Sequence, residues 1–434
     1  MKKRRRAAAR LPLLGAIEVP GDKSISHRAL ILAALGEGTS RVSGLNGGDD
    51  VAATADALRS LGVAVTQGED NTEAVVEGRG WAGLGEPGDV IDARNSGTTL
   101  RTLAGVCAGV PGLCVLTGDA SLRQRPMLRI VAPLRQMGAT IDGALHGDRP
   151  PLVVRGGDLQ GLELELPVAS AQVKTCVLLA GLRASGRTAV TEPGRSRDHT
   201  ERMLAAAGFD VVREGSTVAL TGGPSLRALD WDVPGDVSAA AFFVVAATLL
   251  EGSDVTIERV GLNPTRTGLI EVLNAMGAAI DVEHQGDSGG EPFGTLRVRH
   301  ARLRGVDVDP ARVATMIDEI PVLVIAAAHA DGTTTIRGAA ELRVKESDRI
   351  SAITKGLRAI GARVEELRDG LVVEGPAQLS GGRVDSFGDH RVAMSFAIAG
   401  LMADSKVVVD GWSSVDTSFP GFLDVLGRAQ GRIA

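Results

Sequence analysis

One cassette of roughly seventy residues recurs six times along this chain, and six copies of one supersecondary unit leave few folds to choose from. Each copy opens on polar residues and runs directly into a helix that is apolar almost all round. The openings are Asp22-Lys23-Ser24, Asn95-Ser96-Gly97-Thr98, Ser170-Ala171-Gln172, Asp236-Val237-Ser238, Asp318-Glu319 and Gly388-Asp389-His390-Arg391. The helices behind them read RALILAAL, LRTLAGVCAGV, VKTCVLLAGL, AAAFFVVAATLL, IPVLVIAAAHA and VAMSFAIAGLM. A helix apolar on every side has to be buried. Its N-terminus presents unpaired N–H groups that carry partial positive charge. Six such ends facing one space would form an anion-binding chamber, which points to a phosphorylated or carboxylated ligand.

Behind each buried helix, a turn marked by Gly or Asp leads to a short β-rich stretch: TSRVSGL, LCVLTGD, RTAVTEP, DVTIERV, TTTIRG and KVVVDG. A second, amphipathic helix follows. In five copies it closes on Gly62, Gly138, Gly208, Gly277 or Gly361, where a left-handed cap belongs. Two more strands tend to come next, as in ATIDG with PLVVRG or DVVREG with TVALTG. Val-Pro-Gly-Asp stands at Val19–Asp22 and again at Val233–Asp236, each time at the head of three cassettes. The pair marks two crossings between two halves, in a chain of 434 residues that is long for one hydrophobic core. The expected division is a first three-unit domain over 21–233 and a second over 10–20 plus 234–434, with 1–9 a disordered basic tail. The strand Ala16–Val19 is expected to complete the last cassette, which lacks its final strands. Two linking strands suggest a hinge that lets the halves close on a ligand.

A net charge of −6 argues against nucleic acid or an anionic membrane as a partner. No apolar run approaches the roughly eighteen residues of a membrane span. Cations gathered in the chamber would be a local concentration in an acidic protein. Cys107, Cys114 and Cys176 form no CxxC pair, and their odd number suits a reducing compartment, so the expected location is the cytoplasm. The basic start, Lys2 to Arg6, is followed by no apolar segment of a secretion signal. The seven histidines are dispersed, and there is no HExxH or Cys/His cluster to hold a metal. Nor is there a GxSxG elbow, a Walker loop or a dinucleotide GxGxxG after a strand. No cofactor is expected.

Several strings can carry chemistry. PGDKSISHRALILAAL sets Lys23, Ser24 and Arg28 at one helix start: a point charge, a short donor and a fork for phosphate or carboxylate. The bland alternative is a helix capped by Asp22 or Ser24 with solvated cations. ARNSGTTLRTL offers Asn95, Gly97 and Arg101, where glycine either admits a ligand to the backbone or makes a tight turn. LRQRPMLRI puts Arg123 and Arg125 before Pro126, on the expected first turn of the second helix. Cations there oppose the helix dipole, so they call for an anion unless they are scattered surface arginines; Arg197 in SRDHTERML has the equivalent place. SAQVKTC supplies Ser170, Gln172 and Lys174, donors suited to a hydroxylated ligand, with Ser170 also able to cap. MIDEIPVL places Asp318 and Glu319 where the dipole favours a carboxylate whatever its role, and where a general base would stand. ELRVKESDRI crowds Arg343, Lys345, Glu346, Asp348 and Arg349 around a helix start. Such runs are usually solvated faces, but this one follows the strand TTTIRG directly. FGDHRVAM then adds His390 and Arg391.

Taken in order, PGDKSISHRA, NSGTTLR, the RP of LRQRPM, SAQVK, SRDHTE, MIDEIP, RVKESDR and GDHR resemble the 5-enolpyruvylshikimate-3-phosphate synthase family, the 3-phosphoshikimate 1-carboxyvinyltransferases, and more its class II branch. The resemblance runs from Leu13 to Leu426. It implies an α/β fold: a two-domain inside-out α/β barrel of six βαβαββ units, three per domain, with buried helices whose N-termini face the interdomain cleft. It implies transfer of the carboxyvinyl (enolpyruvyl) group of phosphoenolpyruvate to the 5-hydroxyl of shikimate 3-phosphate, with release of phosphate, in chorismate and aromatic amino-acid biosynthesis. By motif, Lys23 would touch both substrates. Ser24, Arg28, Ser170, Ala171, Gln172 and Arg197 would hold shikimate 3-phosphate, with Asp318 and Lys345 reaching its hydroxyl. Gly97, Arg125, Gln172, Arg349 and Arg391 would surround phosphoenolpyruvate. Asp318 would be the base and Glu346 the acid for the methylene carbon, with Lys345 sharing either proton transfer. The implied partners are these two small molecules, and the expected state is a monomer.

Two departures stand out. Some members carry a lysine just before the terminal Phe-Pro, where this chain has Thr417-Ser418-Phe419-Pro420, and some have proline where Thr102 follows Arg101. Gly97 leaves room near the phosphoenolpyruvate phosphate, so inhibition by glyphosate is expected. One rival is the enolpyruvyl transferase acting on UDP-N-acetylglucosamine. It has Lys-Asn in place of Lys23-Ser24 and a reactive loop cysteine, a place that Cys107 in an apolar helix and Cys114 on a strand do not fit. A non-catalytic anion-binding relative would have lost its carboxylates, yet Asp318 and Glu346 are present.

Overall fold

The structure, a computed structural model, describes residues 10–223 and 225–432, so the basic tail over 1–9 lies outside the described residues. The chain separates into two compact units. The first holds Pro20–Pro234 together with Asp287–Glu291; the second holds the chain up to Val19, Gly235–Gly286 and Pro292 onward. Residues 287–291 differ from the division expected at the two Val-Pro-Gly-Asp sites. They are the turn at Gly289-Gly290 and the adjoining ends of the strands Ala279–Ser288 and Glu291–Arg299. They group with the first unit because Ser288 Oγ donates to the Asp232 carbonyl (2.6 Å) and Arg202 Nη1 to the Gly290 carbonyl (3.3 Å).

Six apolar helices form the centres of the two cores. They are α1 (Lys23–Leu35), α2 (Gly97–Ala108), α3 (Ala171–Gly181), α4 (Val237–Leu249), α5 (Ile320–His329) and α6 (His390–Met402). Leu30, Leu103 and Leu178 in the first unit, and Phe243, Leu323 and Phe396 in the second, are wholly inaccessible. Each such side chain contributes about 1.5–3 kcal/mol by leaving water. That is why these segments take the interior and the amphipathic helices the outside. Helices α2 and α3 touch where Gly105 lies, since a Cβ there would stand 2.2 Å from the Cys176 carbonyl oxygen. None of the helices among the described residues is long and apolar enough to cross a membrane.

Among the described residues the strands make six sheets, one per cassette. In the second cassette the leading strand Ile91–Asp92 runs parallel to Gly112–Thr117 across α2, and Arg149–Gly156 and Thr140–Gly143 extend the sheet antiparallel. The third repeats this order with Glu163–Glu165, Arg187–Thr191, Thr217–Thr221 and Val211–Glu214. A helix between two strands supplies the long crossover that parallel pairing needs. The outer helices end as expected, with Gly62, Gly138, Gly208, Gly277 and Gly361 all at φ between 82° and 102°.

The N-terminal strand corrects the sequence reading. It spans Leu14–Ile17 and pairs in parallel with Asp254–Gly261 of the fourth cassette, not with the last. The reason is an exchange at the two crossings. The strands that precede α4, Leu226–Arg227 and Trp231–Asp232, pair with Gly36–Ser43 of the first cassette and fill the leading place there. The strand that precedes α1 is left to lead the fourth. The last cassette keeps a two-stranded sheet, Gly382–Asp385 with Val407–Asp410. Its outer helix, Phe422–Ala429, reaches the N-terminal segment through Gln430 Nε2, which donates to the Leu11 carbonyl (3.2 Å).

Candidate active site

In the first unit, hydrogen bonds lace three helix starts together. Arg28, one turn into α1, is 4% exposed. Its Nη2 donates to Thr175 Oγ1 on α3 (2.7 Å), its Nε to Thr200 Oγ1 (2.8 Å) and its Nη1 to the Ser24 carbonyl (2.8 Å). Gln172, on the first turn of α3, accepts from Arg101 Nη1 (2.7 Å) and donates to Thr98 Oγ1 at the start of α2 (3.0 Å). Lys23 Nζ pairs with Asp50 (2.9 Å). Arg125 Nη2 donates to Asn95 Oδ1 (3.1 Å), and a Cβ built on Gly97 would lie 3.0 Å from Nη1 of both Arg101 and Arg125. Two guanidinium ends therefore rest against one helix start.

Ser170 caps α3, and Ala171 is its first residue. Of the predicted residues in this half, the structure gathers Ser24, Arg28, Gly97, Arg125, Ser170, Ala171 and Gln172 around these starts, with Lys23 at the head of α1. Arg197 is half-buried and close enough to Arg28 to act on it electrostatically. Arg123 is exposed and is not brought in. Pro126 also falls outside the helix it was expected to start. A short turn over Leu122–Gln124 leaves Arg125 extended, and the helix begins at Leu128, so Arg125 can reach back to Asn95.

The charge state of Arg28 is unusual. Every group it donates to is an uncharged oxygen. Burial lowers its pKa to about 10, Glu201 and Asp22 offset this in part, and Arg197 adds to it. A buried cation supplied with hydroxyls but little negative charge is stabilised by an incoming anion.

The second unit is arranged oppositely. Arg349 opens the helix Arg349–Ala359 and is 1% exposed. Its Nε donates to Asp389 (2.8 Å), its Nη1 to Asp318 (2.8 Å) and its Nη2 to Glu346 (2.6 Å). Burial alone would lower its pKa, but the carboxylates of Asp389, Glu346 and Asp318 more than reverse this and hold it above the usual arginine value. Lys345 Nζ lies 3.4 Å from Asp318 Oδ1. Arg391, on the first turn of α6, donates to the Asp318 carbonyl (3.3 Å) and stands 3.6 Å from Glu319. Asp389 caps α6 through the Arg391 N–H (2.9 Å), so one carboxylate joins both arginines. Glu319 in turn accepts from Ser238 Oγ at the start of α4, where buried Arg266 donates to Ser238 Oγ (2.7 Å) and Asp236 (3.2 Å). Asp318, Lys345, Glu346, Arg349 and Arg391, all predicted, come together here. Two carboxylates on one guanidinium, with an ammonium beside one of them, set proton acceptors next to a proton donor.

Sequence reasoning missed Asp50, Thr175, Thr200 and Arg266. Thr175 carried a signal, as a polar residue on a helix apolar almost all round. Arg266 carried one too, since it stands two residues before the outer helix Gly268–Met276, as Arg197 does before His199–Ala206.

The mixed α/β fold of this chain is shared with a solved enolpyruvyl transferase. The solved structure of the enolpyruvyl transferase NikO from Streptomyces tendae matches it with a TM-score of 0.78 at 18% identity, over 98% of this chain and 96% of that one. Within that fold, the chain belongs to the EPSP synthase (3-phosphoshikimate 1-carboxyvinyltransferase) family, whose family model matches residues 8–426. The EPSP synthase structure from Acinetobacter baumannii gives a TM-score of 0.87 at 45% identity, covering 96% of this chain and 97% of that one. The 3-phosphoshikimate 1-carboxyvinyltransferases of Halorhodospira halophila and Acidithiobacillus ferrooxidans are 51% and 54% identical to it. The matches cover 96% and 94% of this chain, and 94% of each relative. The chain is thus an enzyme of a transferase family, and the aminosugar-nucleotide acceptor is not favoured. Cys107 and Cys114 are wholly buried in α2 and the adjoining strand, so neither is a loop nucleophile.

Proposed function

We propose that this chain transfers the carboxyvinyl group of phosphoenolpyruvate to the 5-hydroxyl of shikimate 3-phosphate and releases inorganic phosphate, as a step toward chorismate and the aromatic amino acids. The observation that carries the reading is the pairing of Asp318 and Glu346 on Arg349, with Lys345 3.4 Å from Asp318. In this scheme Asp318 takes the proton of the 5-hydroxyl as its oxygen attacks the central carbon of phosphoenolpyruvate. Glu346 protonates the methylene carbon, and Lys345 steadies either transfer. The product of addition is a tetrahedral ketal. Loss of phosphate, with a proton returned from the methyl carbon, leaves the carboxyvinyl ether.

Lys23, Ser24, Arg28, Ser170, Ala171, Gln172 and Arg197 take shikimate 3-phosphate, with Asp318 and Lys345 at its reacting hydroxyl. Lys23, Gly97, Arg125, Gln172, Arg349 and Arg391 take phosphoenolpyruvate. Glyphosate inhibits, and millimolar glyphosate at low phosphoenolpyruvate tests that. The working form is a cytoplasmic monomer, which light scattering checks for its mass. The primary experiment measures phosphate release with each substrate omitted in turn and no added metal. Release that needs both substrates supports the reading. No release from folded protein, or release with UDP-N-acetylglucosamine as acceptor, overturns it.

A further inference from the structure

Helix α3 is capped in an unusual way. In a capping box, the residue three places into the helix reaches back to the N–H of the cap residue. Here that place is Val173, which cannot. The Ser170 N–H goes instead to Glu192 Oε1 (3.0 Å), just past the end of the strand Arg187–Thr191. The other oxygen, Glu192 Oε2, accepts from Lys174 Nζ (2.7 Å), one turn further along α3. Glu192 therefore grips the helix at two points. Lys174 is 1% exposed and also meets Glu201 Oε1 (2.8 Å), which Arg213 approaches from outside (3.2 Å). Two carboxylates against two cations leave the cluster without net charge, so it does not compete with Arg28 for an anion.

The helix's own cap is loose. Ser170 Oγ stands 3.5 Å from the Val173 N–H, against 2.9 Å for Asp22 at α1 and 3.1 Å for Ser96 at α2. The Ser170 hydroxyl is thus weakly engaged by its own helix while its backbone is firmly held.

We propose that Glu192 is a positioning residue for shikimate 3-phosphate: it holds the backbone of Ser170 so that the hydroxyl is left to the ligand, and buried Lys174 fixes Glu192 in that role. The inference rests on the function proposed above. Glu192→Gln tests it. A carboxylate serves both the Ser170 N–H and Lys174, whereas an amide has one oxygen and turns an NH2 toward one of two donors. KM for shikimate 3-phosphate should rise about tenfold or more, while kcat and KM for phosphoenolpyruvate change less than about threefold. In Glu192→Gln combined with Lys174→Met, the cation is gone and the amide oxygen is free for the Ser170 N–H. KM should then return to within about threefold of the parent value. The double variant removes one carboxylate and one cation together, and Glu201 keeps Arg213 (3.2 Å), so it stays informative if the single variant fails to fold.

An unchanged KM for shikimate 3-phosphate in Glu192→Gln overturns the proposal. So does an equal rise in both KM values, or a double variant with no recovery, since each describes general loosening. Those outcomes leave the function standing, because the parent enzyme still turns over. If the parent releases no phosphate from the two substrates, the function falls, and this proposal with it.

Discussion

Arg28 and Arg349 are both buried arginines at helix starts, yet they are supplied with opposite charge environments. Arg28 donates to two threonine hydroxyls and a carbonyl, and burial lowers its pKa to about 10. Arg349 donates to three carboxylates, and its pKa is raised despite burial. The first arginine donates to no carboxylate, has only the partial offset of Glu201 and Asp22, and has a use for negative charge from a ligand. The second already has its counter-charges, and these are groups able to move protons. In the proposed reaction the first unit's site offers an anion a cation with little counter-charge, whereas the second unit's site, which also contacts phosphoenolpyruvate through Arg349 and Arg391, carries the groups that move protons. Substitutions in the two halves should therefore fail in different ways.

The largest effect is expected at Asp318. Asp318→Asn keeps a polar group for Lys345 and Arg349 but removes the proton acceptor. Turnover should fall by about 10²–10⁴, the span of one general base, with both KM values little changed in steady-state phosphate release. A rise in KM with turnover unchanged would undo the division. Next come the arginines themselves, where stability should separate them. Arg349→Met takes a guanidinium from three carboxylates, of which Asp318 keeps Lys345 (3.4 Å) and Asp389 keeps the Arg391 N–H (2.9 Å), and breaking a buried ion pair from one side costs about 3–5 kcal/mol. Arg28→Met strands no carboxylate it donated to, and Thr175 and Thr200 keep their mutual hydrogen bond (2.6 Å). Urea unfolding of the free protein should show it as stable as the parent, or about 1 kcal/mol more stable. Its KM for shikimate 3-phosphate should nonetheless rise by about 10–100-fold, the loss of charged hydrogen bonds worth about 1.5–3 kcal/mol. Equal destabilisation by both substitutions would mean that the two environments are alike.

How much of this was legible in the sequence depends on the range of the interaction. The six buried helices and their polar starts could be read because an all-round apolar segment is a local signal. The strings that contain Lys345, Glu346 and Arg349 could be read for the same reason. The exchange of leading strands could not. A short parallel strand carries no mark of which sheet it joins, and Leu14–Ile17 would suit either. The deficit at Arg28 was equally hidden, because its partners Thr175 and Thr200 lie 147 and 172 residues away. The saturation of Arg349 was half visible, since Glu346 is its near neighbour while Asp389 is 40 residues off.

His27 sharpens the comparison from the first unit's side. It is buried beside Lys23 and Arg28, with Nδ1 2.7 Å from Thr54 Oγ1. Burial holds its pKa well below 6.5, the two cations lower it further, and Asp22 opposes them in part. The unfolded chain protonates its histidine near 6.5 while the folded one stays neutral, so below that pH the unfolded state binds more protons. Stability should therefore decline as pH falls below about 6.5, by up to about 1.4 kcal/mol per pH unit from this residue. His27→Gln cannot titrate, and its urea midpoint should fall less steeply than the parent's between about pH 6.5 and 5. Parallel curves would mean that this site accepts a further positive charge, contrary to what Arg28 implies.

The smallest effect belongs to Gly97. A Cβ there would lie 3.0 Å from Nη1 of both Arg101 and Arg125 and approaches no backbone atom so closely. Those atoms are the far ends of flexible side chains, which can yield by a few tenths of an ångström, so Gly97→Ala should fold with stability near the parent's. Arg101 is tied to Gln172 (2.7 Å), whereas Arg125 holds Asn95 by a longer bond (3.1 Å), so Arg125 should be the one to move. Arg125 is assigned to phosphoenolpyruvate and not to shikimate 3-phosphate. KM for phosphoenolpyruvate should then rise by less than about tenfold, under about 1.4 kcal/mol, with the other KM unaltered. Equal shifts in both would show that Arg101 and Gln172 moved instead, and that the two ligands share this helix start more closely than the assignment of Arg125 to one of them allows.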